Sequence, residues 1–286
     1  MDVRLLLIIL LSVLCQLVIG SLSSTFYIWL NGTYGELQAD RLLRDDLDFG
    51  SSFGGENHTV NEKTKNEPVI LIHEITNKID LFNPIRMYFL EHNYDDDEVY
   101  DIAFGDAGIT GILFDTMKCD YVKKIRELIQ SVSAYAASKV DIIAYSIGSP
   151  IARKAIMGGI CVDDDSNNLG HPLTELIDTF LSVAGINYGT QFCIFPFGSC
   201  NILNGLHCLS RFLSDVNSKK HYEGKHVFTL YSKNDDKVSY RSCGKLTSGI
   251  DGEDGKFEES GMNHLELITE TVPKQYNLVI KHQYTT

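Results

Sequence analysis

Positive charge and proline are scarce in this 286-residue chain. Lysine and arginine total 25 against 38 aspartate and glutamate residues, which gives a formal net charge of −13. Nucleic-acid binding needs a cationic surface against the phosphates, so this balance argues against nucleic acid as a partner. It also argues against electrostatic docking on anionic lipid, but not against insertion of an apolar patch into a lipid surface. With only 6 prolines and 44% hydrophobic residues, the composition excludes the collagen-like and disordered classes.

Residue spacings typical of metal sites are also missing. No Cys-x-x-Cys pair occurs, and the steps of 7 and 8 residues from Cys193 to Cys200 and on to Cys208 match no zinc motif. Two acidic runs, residues 95–98 and 163–168, lack the spaced alternation of a calcium loop. We interpret these runs as solvated loops, and the sequence predicts no metal site.

The first 20 residues are interpreted as a secretory signal peptide. Arg4 precedes a largely apolar run that reaches the small residue Gly20, and this run is slightly short for a membrane span. No basic cluster follows it to stop transfer, which favours cleavage near residues 20–21 over a membrane anchor.

The remaining cysteines and two Asn-x-Thr sequons agree with export. Cys15 leaves with the signal, and six cysteines in an oxidising compartment predict up to three disulfides, whose pairing the spacing does not resolve. The candidates are Cys119, Cys161, Cys193, Cys200, Cys208 and Cys243. The sequons predict N-glycosylation at Asn31 and Asn57, so we expect a secreted, extracellular glycoprotein.

Short apolar runs alternate with helical segments along the mature chain. Strands are predicted at residues 68–73, 98–104, 140–145, 177–184 and 226–231. Helices are predicted from Asn83, taken as the cap before Pro84, and over residues 115–139 and 149–159. The alternation indicates a single α/β domain over residues 21–286, with a mainly parallel sheet and helices on both faces. Residues 21–66 are expected to form an irregular arm, and residues 187–221 a cysteine-containing insertion.

Ser146 directly follows one of these strands. Ligands bind at the carboxyl ends of parallel strands, so residues at this position are candidates for function. The pentapeptide Ala-Tyr-Ser-Ile-Gly around Ser146, with a strand before and a helix after, predicts the nucleophile elbow of a serine hydrolase. The usual pattern begins with Gly; Ala144 takes that place here and is small enough to preserve the turn.

A nucleophilic serine needs an acid, a base and oxyanion donors. In this fold the chain order is serine, acid, histidine. Asp235 and Asp236 both follow the strand at residues 226–231, and His264 follows a later loop. The backbone N–H of Ile147 predicts one oxyanion donor, and the loop after residues 68–73 predicts the other, which we assign to Ile75.

Taken together, these residues resemble the class 2 lipases, a family of small α/β-hydrolases. The resemblance rests on the strand ending at His73, the AYSIG elbow, the YSKNDD turn and the GMNHLEL histidine, in that order. The segments FYIWLNGTYG, SFGG and AGINYGTQFCIFPFGSC are similar to those of secreted nematode relatives. The resemblance implies the following site: Ser146 as nucleophile, Asp235 rather than Asp236 as acid, His264 as base, and Ile75 and Ile147 as oxyanion donors.

The resemblance further implies an activity. It predicts hydrolysis of carboxylic esters, commonly acylglycerols, through an acyl-serine intermediate and without a cofactor. We expect a monomer whose partner is a lipid or small ester substrate, with transient contact to a lipid surface. An acyltransferase with the same triad remains an alternative, because water and another alcohol meet the same acyl-enzyme.

One position departs from the family pattern. The family usually has His-Gly after the strand, whereas this chain has His73-Glu74. Gly adopts backbone angles that Glu tolerates poorly, and a carboxylate near the site would oppose a developing oxyanion. Either Glu74 points outward without effect, or the oxyanion loop is distorted. The second case predicts a catalytically silent hydrolase-fold protein that binds a lipid or a partner.

The insertion at residues 187–221 is long for a connection between strands. Long connections are often lids or binding loops, so one hypothesis is a lid over the acyl-binding cleft whose apolar side chains meet lipid. The alternative is a disulfide-stapled surface excursion.

Overall fold

The computed structural model describes most of the chain. The described residues are 22–47, 52–56, 58–60, 62–75, 79–106, 108, 110–111 and 113–284. The predicted signal peptide and the sequon at Asn57 lie outside them, whereas Asn31 is exposed on a helix. No helix within these ranges is long and apolar enough to cross a membrane.

A seven-stranded sheet lies at the centre of the fold. Nine strands are described in all: β1 Ser52–Phe53, β2 Val69–Ile72, β3 Val99–Ile102, β4 Val140–Tyr145, β5 Ile177–Val183, β6 His226–Ser232, β7 Arg241–Ser242, β8 Lys245–Leu246 and β9 Gly255–Glu259. The sheet order is β1-β3-β2-β4-β5-β6-β9, with β1 antiparallel to β3 and the other neighbours parallel. The short strands β7 and β8 form a separate antiparallel hairpin.

Helices cover both faces of the sheet. They are α1 Ser24–Tyr34, α2 Glu36–Leu43, α3 Asn83–Glu91, α4 Cys119–Tyr135, α5 Gly148–Met157, α6 Arg211–Val216, α7 His264–Thr269 and α8 Val272–Lys281. Alternate residues of β4 belong to different cores, because successive side chains of a strand point to opposite faces. Ile142 and Ala144 pack with the first two helices and with α4 and α5, whereas Ile143 and Tyr145 pack with α3, α7 and α8. This arrangement confirms the predicted α/β-hydrolase architecture.

The N-terminal arm is more ordered than the sequence predicts. Instead of an irregular segment it contains α1, α2 and the edge strand β1. Ser23 caps α1 by accepting a hydrogen bond from the Phe26 N–H, and Phe26 and Leu30 are fully buried one turn apart. Aromatic and β-branched residues have modest helix propensity, so packing rather than local preference stabilises this helix.

Two further elements differ from the prediction. The helix α3 begins at Asn83 itself and its cap is Phe82, because a 3₁₀ turn at Ile79–Phe82 leads straight into it. The strand β9 lies in what the sequence suggested was a loop. Its residues are largely polar because it pairs with β6 on one side only and forms the edge of the sheet.

All six candidate cysteines form disulfides. Cys119–Cys161 joins the start of α4 to the loop after α5, over a sequence separation of 42. Cys193–Cys200 closes a short loop inside the insertion, with a separation of 7. Cys208–Cys243 joins the insertion to the β7–β8 hairpin. The three disulfides predicted as an upper limit are therefore all present.

Candidate active site

Ser146 occupies a strained turn between β4 and α5. Its φ of 55° lies in the left-handed region, which is costly for a residue with a side chain. Its backbone N–H donates to the Val183 carbonyl of β5 at 3.0 Å, which helps to hold the turn. At Gly148 a Cβ atom would lie 2.4 Å from the His73 carbonyl oxygen, so only glycine allows this close approach. The sequence pattern Ser-x-Gly therefore has a direct steric reason.

The structure brings Ser146, His264 and Asp235 into one hydrogen-bonded chain. The His264 Nε2 lies 3.0 Å from the Ser146 Oγ, and the His264 Nδ1 lies 2.8 Å from the Asp235 Oδ2. The second Asp235 oxygen accepts from the backbone N–H groups of Lys237 and Val238. A carboxylate fixed in this way favours a proton on Nδ1, which leaves Nε2 free to accept the serine proton.

Local capping fixes the direction of the imidazole. Asn263 caps α7 in a reciprocal capping box with Glu266, so His264 is the first residue of the helix. The Tyr145 hydroxyl donates to the His264 backbone carbonyl at 3.1 Å, and the two rings are 4.7 Å apart. Burial, followed by the charge of Glu74, raises the pKa of Tyr145, so it remains a donor.

Asp235 and Asp236 differ in what they contact. Asp235 is almost fully buried against the imidazole, whereas the Asp236 side chain is 55% exposed and accepts the backbone N–H of His264 at 3.0 Å. That hydrogen bond lowers the pKa of Asp236. Asp236 thus anchors the start of α7, a role that sequence reasoning missed because adjacent carboxylates carry no directional signal.

A buried polar cluster beneath the elbow was also missed. The Ser149 Oγ lies 2.8 Å from the Ser182 Oγ and donates to the Asn187 Oδ1 at 2.9 Å. The Asn187 side chain donates in turn to the Ser248 carbonyl at 3.0 Å. Because a buried polar group without a partner is costly, this network fixes α5 against β5 and the start of the insertion. Its members are spread over 100 residues, and no local pattern connects them.

The two predicted oxyanion donors lie beside the serine. Ile75 and Ile147 line, together with Ser146, a small cavity of about 50 Å³. Neither backbone N–H has a hydrogen-bond partner among the described residues. Two residues with unpaired backbone donors therefore line one cavity together with Ser146, as a site for a developing oxyanion requires.

Glu74 lines both this cavity and the larger cleft. It is half-buried, so the structure does not place it away from the site. Left-handed φ angles occur at Ser146 and seven other described non-glycine residues, but not at Glu74. The backbone therefore needs no glycine at this position. Two effects of Glu74 were predicted, a strained backbone and repulsion of the oxyanion. Only the repulsion by its negative charge remains.

His73 lies below the oxyanion loop and is completely buried. Burial lowers its pKa to about 4. Its Nδ1 bonds to the Glu74 backbone carbonyl, and its ring stacks on Phe104 with centroids 5.1 Å apart. A neutral, enclosed imidazole of this kind positions the loop rather than exchanging protons with a substrate.

An open cleft of about 700 Å³ leads to the serine, a size that suits a small-molecule or acyl-chain site. Ser146, His264 and Glu74 are among its lining residues. The apolar lining comes from several parts of the chain: Leu113, Ile186, Phe192, Leu206, Val238 and Leu265. The insertion therefore forms one wall of the cleft.

Groups that could hold a metal lie elsewhere. Ligand atoms of Asp178, His226 and His282 fall within 4.8 Å of one another, as do those of Glu67, Asp141 and Asp178. These residues lie near the amino ends of β4, β5 and β6, whereas the serine follows the carboxyl end of β4. Neither acidic run at residues 95–98 or 163–168 contributes to these groups.

Comparisons with known proteins identify the family of this chain. The sequence model of the family described as Lipase (class 2) matches residues 66–277. No curated protein matches. The family match does not distinguish a nematode branch, and that finer resemblance stays a prediction.

Solved lipase structures share the fold at low sequence identity. The mature Bacillus licheniformis lipase BlEst2 is 13% identical with a TM-score of 0.53, and the match covers 80% of this chain and 97% of that one. The Paleococcus ferrophilus monoacylglycerol lipase is 11% identical with a TM-score of 0.51, covering 81% and 98%. Aspergillus fumigatus lipase B is 14% identical with a TM-score of 0.49; 74% of this chain is covered but only 48% of that one. At such identities the likeness to the first two structures shows the fold alone, and the third, with a TM-score under 0.5, adds nothing to it.

Proposed function

Because this chain belongs to the class 2 lipase family, we propose that it is a secreted carboxylic-ester hydrolase that acts through an acyl-Ser146 intermediate. Triacylglycerol is the substrate class that we favour. The observation that carries the proposal is the hydrogen-bonded chain from Asp235 through His264 to Ser146, which lines an open cleft.

In the first half of the reaction the Ser146 Oγ attacks the ester carbonyl carbon. The His264 Nε2 takes the hydroxyl proton, and Asp235 stabilises the resulting imidazolium. The carbonyl oxygen gains the negative charge beside the N–H groups of Ile75 and Ile147. When the tetrahedral intermediate collapses, the bond to the alcohol oxygen breaks and His264 gives its proton to the departing alcohol.

In the second half water replaces the alcohol. His264 takes a proton from the water as its oxygen attacks the acyl carbon, and the same two N–H groups meet the new oxyanion. Collapse breaks the bond to the Ser146 Oγ and returns the proton to it. The carboxylic acid leaves, and every proton taken by His264 has been returned.

Secretion is supported by the cysteines. Every cysteine among the described residues is paired, and such pairing persists in oxidising compartments. The exposed side of α1 offers Asn31 for a glycan. A mobility shift on treatment of secreted protein with an N-glycosidase, lost in Asn31→Gln combined with Asn57→Gln, would test this part.

The central test compares mature protein with Ser146→Ala. We expect a burst of p-nitrophenol from a p-nitrophenyl ester and covalent labelling by a fluorophosphonate, both absent in the variant. Product analysis with and without an added alcohol separates hydrolysis from acyl transfer. Folded wild-type protein that shows neither burst nor label would contradict the proposal.

A catalytically silent, lipid-binding protein is the second candidate. It is favoured by one observation, that Glu74 lines the same cavity as the two oxyanion donors. For this candidate Glu74→Gly would create an activity that the natural chain lacks. For the hydrolase, the wild-type chain is already active and Glu74→Gly only increases its turnover.

A further inference from the structure

Six large apolar side chains protrude together beside the mouth of the cleft. We call them the apolar rim, and each is at least 66% exposed: Leu113, Phe114, Phe192, Ile194, Phe195 and Phe197. Leu113 and Phe192 also line the cleft that leads to Ser146. Contiguous apolar exposure of this extent on a soluble surface marks an interaction site.

The loop of the rim is closed by a disulfide, and its backbone is bonded to the second part of the rim. Cys193–Cys200 closes the loop that carries Ile194, Phe195 and Phe197. The Ser199 N–H donates to the Leu113 carbonyl at 2.9 Å, and a Cβ at Gly198 would lie 2.2 Å from the same oxygen. The two parts of the rim therefore touch backbone to backbone, which only glycine permits at that position.

The base of the rim is fixed as well. The Thr190 N–H donates to the Leu206 carbonyl at 2.8 Å, and the Leu206 N–H donates to the Ser199 carbonyl at 2.7 Å. The Cys208–Cys243 disulfide then joins the segment to the β7–β8 hairpin. These bonds, at both ends and in the middle of the segment, oppose its movement as a lid over the cleft.

The segment that carries four of the six rim residues has no charged side chain. Residues 189–210 include no aspartate, glutamate, lysine or arginine, although the whole chain carries a net charge of −13. Lysine and arginine are the residues that attract anionic lipid, and none occurs in this segment to offset the repulsion from the rest of the protein. The rim is thus suited to a surface without net charge.

We propose that the apolar rim is a fixed docking platform for an uncharged or zwitterionic lipid surface. Docking inserts the aromatic tips among acyl chains and places the cleft mouth against the lipid. The inference rests on the proposed function only in that the docked surface supplies the ester. Binding to the lipid surface does not itself require ester hydrolysis.

The binding test uses Ser146→Ala protein, so that the lipid is not consumed. Sedimentation with sucrose-loaded phosphatidylcholine vesicles measures partitioning, and we expect Phe195→Asp in that background to weaken it about tenfold or more. Leu37→Asp is the matched control, since Leu37 is 79% exposed on α2 and does not line the cleft. Vesicles with phosphatidylglycerol should bind less protein, and added salt should reduce that difference.

The outcomes are distinguishable. Equal partitioning of Phe195→Asp and the parent, or tighter binding to anionic vesicles, would overturn the proposal. With active protein, turnover of a soluble acetate ester should be the same in Phe195→Asp as in the wild type and should not rise when vesicles are added. A several-fold rise would show that the rim moves as a lid. Failure of soluble-ester turnover would instead refute the proposed function and leave the binding result intact.

Discussion

The catalytic residues and the apolar rim lie on the same cleft but are built in opposite ways. Ser146, Asp235 and His264 are nearly enclosed and sit where β4 and β6 end and α7 begins, so the hydrogen-bonded sheet positions them. The rim is largely exposed, carries no strand of the main sheet and is positioned by disulfides and turns.

The packed core therefore positions the catalytic residues, whereas covalent bonds position the rim. Proton transfer needs distances near 3 Å, which a packed core with few voids maintains. A docking surface needs protruding side chains, which no core can hold, so cross-links take its place. Disturbing one region should therefore leave the other largely unchanged.

The largest effect is expected at Asp235. Asp235→Asn should lower turnover of a soluble ester by about 10⁴-fold. The amide oxygen is expected to keep the Lys237 and Val238 N–H groups, so the amide NH₂ faces Nδ1 and favours the wrong tautomer of His264. Asp236→Asn is the matched control; it keeps an oxygen to accept the His264 N–H and should retain activity within about tenfold. If Asp236→Asn were the inactive variant, the assignment of the acid would be reversed.

Two of the disulfides should differ in how much they contribute to the free energy of unfolding. Loop-closure entropy predicts that Cys119→Ser with Cys161→Ser lowers the free energy of unfolding by about 4 kcal/mol, and Cys193→Ser with Cys200→Ser by about 2 kcal/mol. Urea denaturation measures both losses. The second pair should also abolish vesicle binding while soluble-ester turnover persists. Loss of both properties together would mean that the rim supports the catalytic residues.

His73 should make the stability depend on pH. Its unfolded pKa is ordinary and its folded pKa is about 4, so between these values the unfolded chain binds the extra proton. Lowering the pH from 7 to 5 should therefore reduce the free energy of unfolding by about 2 kcal/mol through this residue. In His73→Phe, which keeps a ring against Phe104, that component should vanish. Equal pH slopes in the two proteins would exclude the assignment.

Glu74 lies where the two regions meet, and its substitution should have the smallest effect. Glu74→Gln removes a half-exposed negative charge beside the oxyanion cavity, so we expect turnover to rise about fivefold, equivalent to about 1 kcal/mol after solvent screening. Glu175→Gln, an exposed carboxylate that does not line the cleft, should change nothing. A fall in turnover would indicate that Glu74 assists the reaction.

The sequence predicted best where one local pattern determines one element. One prediction, a nucleophile elbow, follows from the apolar run of β4, the small residues around Ser146 and the helix after them. The structure shows that turn, with the steric requirement at Gly148. Local patterns did not suffice where the determinant is tertiary. They left Asp235 and Asp236 open, and only the resemblance favoured Asp235, because the choice depends on which carboxylate faces the imidazole. The helix α1 was not predicted, because it depends on burial of Phe26 and Leu30.

The composition of the edge strand β9 does not indicate a strand. Lys256 and Glu258 make its sequence resemble a polar loop, yet it pairs with β6 over five residues. An unprotected strand edge is a template on which a second molecule can add its own strand, the first step towards aggregates. The charges of β9, among them Glu258 paired with Lys233 at 2.8 Å, oppose such growth. In a protein that already exposes an apolar rim, these charges therefore oppose aggregation through the edge of the sheet.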